Sequence, residues 1–318
     1  MTVLVEDTFA KIDELLSRLD KLHSSPAVAL QVMQITRDSD FDIAEVQRCL
    51  ECDPSLTGEI LRLVNSSYYS LPRKVTAVGE AVSYLGRRSL RLAVLGFGLT
   101  KALAKGCPKV FHEQYWRRSL SMAAVARKLA ERCGRHEVHP DTAFATGLLA
   151  DLGMVVLAQL ETETYLKVCQ NTDHLVTQLR EEHRQFGFTH VEVGLRILAS
   201  WRLPEEMLCA VAEHHHCPPE SDKLSQVVKV ASVLAEVLWT PESPHMRILL
   251  PLLKTRLDLG VDDLISLAND CKQAVTESME VFQVRIEGEI DIDAIQREAR
   301  AIYEAAVFEA AANLDGRD

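Results

Sequence analysis

The chain has 318 residues, of which 47% are hydrophobic and 25% are charged, a composition typical of a globular protein with one to three domains. Its 46 acidic and 35 basic residues give a formal net charge of −11 at pH 7. That charge disfavours broad binding to nucleic acid or to an anionic membrane, because both reward a positive protein surface.

Residues 1–108 are predicted to form an N-terminal lobe of about six helices. Apolar residues between Ile12 and Leu22 recur at the spacing of an amphipathic helix. Asp53 followed by Pro54 predicts a helix start, because aspartate caps a helix and proline needs no amide hydrogen in the first turn. Asn65 lies in the polar turn that ends this helix, where we expect its side chain to satisfy backbone groups.

The other helices of this lobe are predicted from their apolar patterns. One of them begins at Pro26, and the others are Asp42–Leu50, Ala77–Leu85 and Arg87–Ala104. The segment from Gly106 to Pro108 then marks a candidate boundary, since glycine and proline interrupt regular structure.

Residues 109–240 are predicted to form a second helical lobe, followed by a helical extension over 241–318. The predicted helices of the second lobe are 116–132, 142–149, 154–160, 161–170, 174–185, 190–201, 204–213 and 224–238. Thr189 and Glu192 have the spacing of a capping box. The extension is predicted as three helices, and the last, 290–313, has few large apolar residues, which favours a helix resting on a neighbour or a partner.

Asp151 is the residue that bears most directly on function. It follows the apolar run Thr142–Leu149, and Gly153 is predicted to turn the chain into a second apolar run, Met154–Leu160. Burying a lone carboxylate costs several kcal/mol unless it gains a cation or several hydrogen-bond donors. We therefore expect Asp151 to face a metal ion, an arginine or water.

Several motifs occur in one order over about residues 20–240. They are Asp53-Pro54-Ser55-Leu56-Thr57, Leu61-Arg62-Leu63-Val64-Asn65-Ser66, Ala81-Val82-Ser83-Tyr84-Leu85-Gly86, Trp116-x-x-Ser119, Gly147 to Gly153, Thr189-His190-x-Glu192-x-Gly194, Trp201-x-Leu203-Pro204 and His214-His215. Together they resemble an HDOD domain, a non-enzymatic relative of the HD metal-dependent phosphohydrolases of bacterial signalling proteins. The resemblance implies an all-α fold in which an N-terminal helical lobe packs on a degenerate HD-type bundle.

The resemblance also implies roles for individual residues. The residues that it makes structural are Asp53, Pro54, Asn65, Gly86, Trp116, Gly147, Gly153, Trp201 and Pro204. Active HD enzymes, by the same resemblance, hold metal through an upstream histidine, a His-Asp doublet and a downstream aspartate, often with further histidines. Here Arg118, Ala150 and Ser232 stand at three of those positions.

Part of the implied ligand set is retained in this chain. The retained residues are Asp151, His190, His214 and His215. Arg118 carries a permanent positive charge and has no lone pair to donate, so it cannot serve as a metal ligand. We therefore expect Arg118 to replace the metal ion and to pair with Asp151.

The retained residues also have simpler interpretations. The run His214–His216 at a helix end can favour the negative helix terminus, keep a ligand-binding role or bind metal. His190 at a helix start is more often a buried, hydrogen-bonded residue than a ligand. Asp151 can cap the turn at Gly153.

The sequence thus predicts a non-catalytic signal-output or scaffold module with no catalytic residue, metal or cofactor. The resemblance implies partners among two-component or cyclic-di-nucleotide signalling proteins, with a homodimer through the C-terminal helices as a further candidate. The alternative is a metal-dependent phosphohydrolase that uses Asp151, His190, His214 and His215.

A cytoplasmic location is expected from three features. The acidic N-terminus lacks the apolar core of a signal peptide. We find no apolar run that approaches the roughly 20 residues of a membrane helix. The eight scattered cysteines are typical of buried thiols in a reducing compartment.

Overall fold

A computed structural model describes residues 2–22, 28, 31–32, 35, 41–67, 69–104, 107–133, 137–170, 175–201, 203–282 and 284–315. Over these residues the chain forms fifteen α-helices and no strand, so the all-α prediction is confirmed. The helix predicted from Pro26 lies mostly outside the described residues. The helices are α1 (Thr2–Leu22), α2 (Ile43–Glu51), α3 (Pro54–Val64), α4 (Val78–Ala104), α5 (Lys109–Cys133), α6 (Pro140–Leu149), α7 (Leu152–Leu160), α8 (Thr162–Gln170), α9 (Leu175–Phe186), α10 (His190–Ser200), α11 (Glu205–Glu213), α12 (Lys223–Trp239), α13 (His245–Leu257), α14 (Val261–Phe282) and α15 (Ile292–Asp315).

Side chains fix the ends of several helices as predicted. Asp53 Oδ1 accepts a hydrogen bond from the backbone N–H of Leu56 at 3.0 Å, at the start of α3. Glu192 accepts one from the backbone N–H of Thr189 at 2.7 Å, which gives α10 its predicted capping-box bond. Helix α4 is interrupted at Gly86, where φ is 70°, so the two helices predicted over this stretch meet at a glycine kink.

Asn65 closes the loop that follows α3. Its side-chain amide donates to the carbonyl oxygens of Leu61 and Val75, and its Oδ1 accepts from the N–H of Val75, each at 2.8 Å. These bonds satisfy backbone groups between helices, as predicted. They tie the end of α3 to the segment that leads into α4.

Two apolar clusters form the interior. One lies among α2, α3 and α4 and includes Ile60 and Val82. The larger cluster contains residues of α5–α8 and α10–α15, and Ile12 of α1 belongs to it. The candidate site lies in this larger cluster.

The stretch Pro140–Leu160 is apolar and long enough to cross a membrane by length and composition, so the expectation that no apolar run approaches that length is wrong. However, 89% of its most apolar window is buried inside the fold. It is also divided into α6 and α7 by a turn at Ala150–Asp151. This degree of burial is typical of helices in the core of a folded protein.

Two glycines allow helices to approach closely around that turn. A Cβ on Gly153 would lie 1.9 Å from the carbonyl oxygen of His190, and one on Gly147 would lie 2.9 Å from that of Met122. Gly153 is therefore a contact residue inside α7, and the prediction that it turns the chain is wrong. This contact places the start of α10, with His190, against the turn that carries Asp151.

Candidate functional site

Asp151 lies in the turn between α6 and α7 with no exposed surface. Its Oδ2 accepts a hydrogen bond from Nε of Arg118 on α5, so the predicted ion pair is confirmed. The Asp151 side chain makes no capping bond to α7, and the prediction of a capping role is therefore wrong. The carboxylate is instead stabilised by a cation from a distant helix.

Arg118 contacts a second carboxylate that the sequence analysis missed. Its Nη1 donates to Glu236 on α12, while its Nη2 is buried with no hydrogen-bond partner among the described residues. Only 9% of the Arg118 side chain is exposed. Glu236 has a recognisable signal in the sequence, because it is a lone acid within the apolar run Val233–Leu238.

The second oxygen of Asp151 faces three imidazoles. Its Oδ1 lies 3.1 Å from Nε2 of His214, 3.4 Å from Nε2 of His190 and 4.0 Å from Nε2 of His215. Nε2 of His190 and Nε2 of His215 are 3.0 Å apart. One donor atom from each of the four residues lies within 4.8 Å of all the others, so the fold brings the retained set together.

His190 is oriented by Glu182, a buried acid of α9. Its Nδ1 lies 2.8 Å from Glu182 Oε2, and its backbone N–H donates to the same oxygen at 2.9 Å. Glu182 Oε1 also accepts from the hydroxyl of Tyr165 at 2.9 Å and from the amide of Gln178 at 3.0 Å. No sequence pattern marks Glu182 as a site residue, because it lies in a polar helix beside another glutamate.

Residues of α11 and α12 fix the other two imidazoles. Nδ1 of His214 donates to the carbonyl oxygen of Val211 at 2.6 Å. Ser232 Oγ donates to the carbonyl oxygen of His214 at 2.9 Å, and Lys229 Nζ donates to that of His215 at 2.8 Å. Ser232 thus holds the chain that carries the histidines. The next residue, His216, is exposed.

The remaining family positions support the fold around the site. Trp116 is 4% exposed on α5 and donates from Nε1 to Nε2 of His112 at 2.9 Å. Trp201 ends α10, Pro204 precedes α11, and Ala150 presents only a buried methyl group beside Asp151. None of these residues adds a titratable group to the cluster.

Burial and neighbouring charges shift the pKa values of the cluster residues in different directions. Burial opposes ionisation of Asp151, but Arg118 and the bonds from His190 and His214 outweigh it and hold the pKa of Asp151 well below its usual value. Burial also opposes protonation of His190, but Glu182 and Asp151 raise its pKa to about 9. Burial lowers the pKa of His214 and, with the neighbouring imidazoles, lowers that of His215 strongly.

A cavity of about 160 Å³ lies beside the ion network. Arg118, Glu236, Met154 and Trp239 are part of its wall. Neither Asp151 nor any of the three clustered histidines is among the described residues that line it. Arg118, which binds Asp151, thus joins the wall of this cavity to the buried cluster.

An all-α bundle that gathers a carboxylate and three imidazoles in its core has the fold and part of the ligand set expected of an HD-type protein. The family model of the HDOD domain matches residues 22–217. That match covers more than half of the chain, and the chain belongs to the HDOD domain family.

Solved structures share this fold. An HDOD domain protein of unknown function from Geobacter sulfurreducens is 24% identical, with a TM-score of 0.68 over 88% of this chain and 100% of that one. A protein from Shewanella amazonensis SB2B, provisionally named a phosphohydrolase, is 21% identical, with a TM-score of 0.65 over 85% and 97% of the two chains. At these identities the likeness establishes the fold alone.

A curated relative from Treponema pallidum (strain Nichols), an uncharacterized protein, is 23% identical over 235 residues. The alignment covers 73% of this chain and 45% of the relative. The chain therefore spans less than half the length of that relative.

Proposed function

We propose that this chain is a non-catalytic signal-output or scaffold module that acts through protein contacts in a bacterial cytoplasm. The observation that carries this proposal is the ion pair between Arg118 and Asp151. The Arg118 guanidinium binds one oxygen of Asp151, a carboxylate that an HD enzyme uses as a metal ligand. Ala150 and Ser232 supply no ligand at two further positions of that set.

Burial of the site supports the same function. Metal-assisted hydrolysis needs an open coordination position and a path for substrate and water. Asp151, His190 and His214 have no exposed surface, and none of them lines the adjacent cavity.

The C-terminal helix offers a surface for a partner. Tyr303, Val307 and Phe308 on α15 are 55%, 52% and 76% exposed, and Ile248 on α13, which packs against α15, is 48% exposed. Exposed large apolar side chains that occur together mark interaction surfaces. The partners that we propose are other signalling proteins of two-component or cyclic-di-nucleotide pathways, or a second copy of this chain.

The test is a phosphodiesterase assay on the full chain with bis-p-nitrophenyl phosphate and added manganese, iron or zinc. We expect no turnover above that of the Asp151→Ala and His215→Ala variants. Metal-dependent turnover that either substitution abolishes would overturn the proposal.

One observation favours a second candidate, a metal-dependent phosphohydrolase. The donor atoms of Asp151, His190, His214 and His215 converge, and imidazole with carboxylate is a donor set that suits zinc, iron or manganese. A bound ion would supply Lewis-acid activation of water. The chain's own residues would orient the imidazoles through Glu182 and Ser232. The same assay decides between the two candidates.

A further inference from the structure

The cluster around Asp151 places lone pairs against one another. A carbonyl oxygen only accepts hydrogen bonds, so Nδ1 of His214 carries the hydrogen in its bond to Val211. In a neutral imidazole the lone pair is then on Nε2, which faces Oδ1 of Asp151 at 3.1 Å. Two acceptors at this distance repel each other unless a proton or a metal ion lies between them.

His190 directs its second ring nitrogen to the same point. Its Nδ1 lies 2.8 Å from a carboxylate oxygen of Glu182, which accepts the hydrogen and directs Nε2 away from Glu182. That Nε2 is 3.4 Å from Oδ1 of Asp151 and 3.0 Å from Nε2 of His215. Oδ1 of Asp151 and the Nε2 atoms of the three histidines therefore surround one point, where a metal ion would displace the proton that His190 holds in the metal-free chain.

The spacing of these atoms suits a tetrahedral ion. Ligand bonds of about 2.0–2.1 Å place the four donors about 3.4 Å apart. The separations of 3.0, 3.1, 3.4 and 4.0 Å among the four atoms lie on both sides of that value. Small movements of the rings would complete the coordination.

The surrounding groups hold these donors in place. Metal-binding histidines commonly donate their other nitrogen to a carboxylate or a carbonyl oxygen, as His190 does to Glu182 and His214 does to Val211. Arg118 binds only Oδ2 of Asp151 and leaves Oδ1 free for the cluster. The arginine thus removes one coordination position without occupying the point between the imidazoles.

The carboxylates around the cluster would offset much of the charge that an ion brings, although Lys229 adds one further positive charge near His215. A divalent ion and Arg118 together carry three positive charges. Asp151, Glu182 and Glu236 carry three negative charges around them. A buried cluster is most stable when its charges compensate one another.

We propose that Asp151, His190, His214 and His215 form a closed four-coordinate site for one zinc-like divalent ion, which stabilises the fold and does not catalyse hydrolysis. The inference deepens the proposed non-catalytic function, on which it rests. Structural zinc sites have all four positions filled by protein, whereas catalytic ones keep a position for water. Here four side chains fill them, and even the most accessible, His215, is 7% exposed.

The experiment strips the full chain with a chelator and adds back zinc or cobalt. Elemental analysis should show one zinc per chain, and the cobalt form should show the strong visible absorption of tetrahedral coordination. Because the ion binds the folded state, zinc in large excess over its dissociation constant should raise the melting temperature by about 5 °C or more. Less than stoichiometric binding, or octahedral cobalt, would overturn the proposal.

Two neighbouring histidines give a matched pair of variants. His215→Ala should weaken zinc binding more than about 10-fold, whereas His216→Ala, at the adjacent exposed residue, should leave it unchanged. Equal effects of both would contradict the assigned ligand set. Should His215→Ala fail to fold, Glu182→Gln provides a second test, with an expected loss of about 10-fold to 100-fold in zinc affinity.

Failure of this inference is distinguishable from failure of the proposed function. A chain that binds no zinc and hydrolyses nothing would overturn the metal site alone. A zinc-loaded chain that hydrolyses bis-p-nitrophenyl phosphate would overturn both the closed site and the non-catalytic function.

Discussion

At the scale of single residues, Arg118 determines the chemistry of the buried site. Its guanidinium compensates Asp151 and Glu236 at once. A neutral side chain in its place would leave the buried Asp151 and the partly buried Glu236 without their shared cation. The arginine therefore stabilises the fold and also lines the cavity.

We expect Arg118→Met to reduce the free energy of unfolding by about 3–5 kcal/mol in chelator, because it removes the cation from a buried pair. Arg117→Met is the matched control, since Arg117 is its neighbour on α5 and lies over the Trp239 ring at 5.7 Å. The control substitution should lower the free energy of unfolding by about 1 kcal/mol or less. Urea denaturation measures both, and similar losses would argue against the role of the buried pair.

His190 gives a pH dependence in metal-free protein. Its pKa is raised from 6.5 to about 9 in the folded state, so the folded chain holds this proton more tightly than the unfolded chain. The resulting stabilisation is fully present below pH 6.5 and is lost as the pH rises through about 9. Urea denaturation in chelator from pH 6 to 10 should show this loss, and His190→Gln should remove it. A wild-type curve no steeper than that of the variant would refute the assignment.

At the scale of helices, the crossing of α7 and α10 positions the site. Gly153→Ala would place a Cβ 1.9 Å from the carbonyl oxygen of His190. The contact is between the backbones of two packed helices, which cannot shift without disturbing their neighbours. We therefore expect the free energy of unfolding to fall by about 3 kcal/mol or more. Gly58→Ala is the control inside α3, because its nearest neighbour is the end of the Arg62 side chain at 3.5 Å.

The control should be neutral or stabilising by up to about 1 kcal/mol, since alanine favours a helix. Thermal and urea denaturation measure both variants. A Gly153→Ala protein as stable as the wild type would show that α7 and α10 can separate without cost.

Asn65 makes a separate prediction for the N-terminal lobe. Asn65→Ala removes three hydrogen bonds that close the loop to Val75 and leaves partly buried backbone groups unpaired. We expect a loss of about 2–3 kcal/mol in urea denaturation. Asn269→Ala is the control, because this exposed amide makes one bond within its own helix, to Ile265 at 3.1 Å. Its loss should be below about 0.5 kcal/mol, and equal losses would contradict the role of Asn65.

At the scale of the whole molecule, α14 joins the two apolar clusters. Val281 near its C-terminal end belongs to the cluster of α2–α4, while Leu267 and Cys271 belong to the larger one. Arg62 on α3 also donates from Nε to the carbonyl oxygen of Val281 at 3.3 Å. One helix therefore packs into both apolar clusters.

The exposed apolar side chains near the end of α15 allow the proposed self-association to be tested by mutation. We expect the double variant Val307→Lys, Phe308→Lys to abolish the proposed self-association, because charge on an apolar contact face is costly to bury. Tyr84→Lys, at an aromatic residue of the N-terminal lobe that is 44% exposed, is the control. Light scattering after size exclusion gives the masses. A wild-type dimer that survives the double variant would exclude this face as the dimer contact.

The sequence by itself determined the helices and many of their ends. Asp53 and the Thr189–Glu192 pair act on backbone groups within one turn, so their spacing is sufficient to predict them. The lone acid at 151 was also recognisable, because a buried carboxylate requires a cation, and the resemblance to the HD enzymes indicated Arg118 as its partner.

Only the tertiary structure decided what surrounds Asp151. The convergence of three imidazoles on one oxygen, and the participation of Glu182 and Glu236, depend on how helices far apart in the chain are placed. Gly153 was mistaken for a turn residue because a sequence pattern does not show which backbone lies opposite it. Helix formation depends on neighbours three or four residues away, whereas a site built from five helices depends on packing across the whole core.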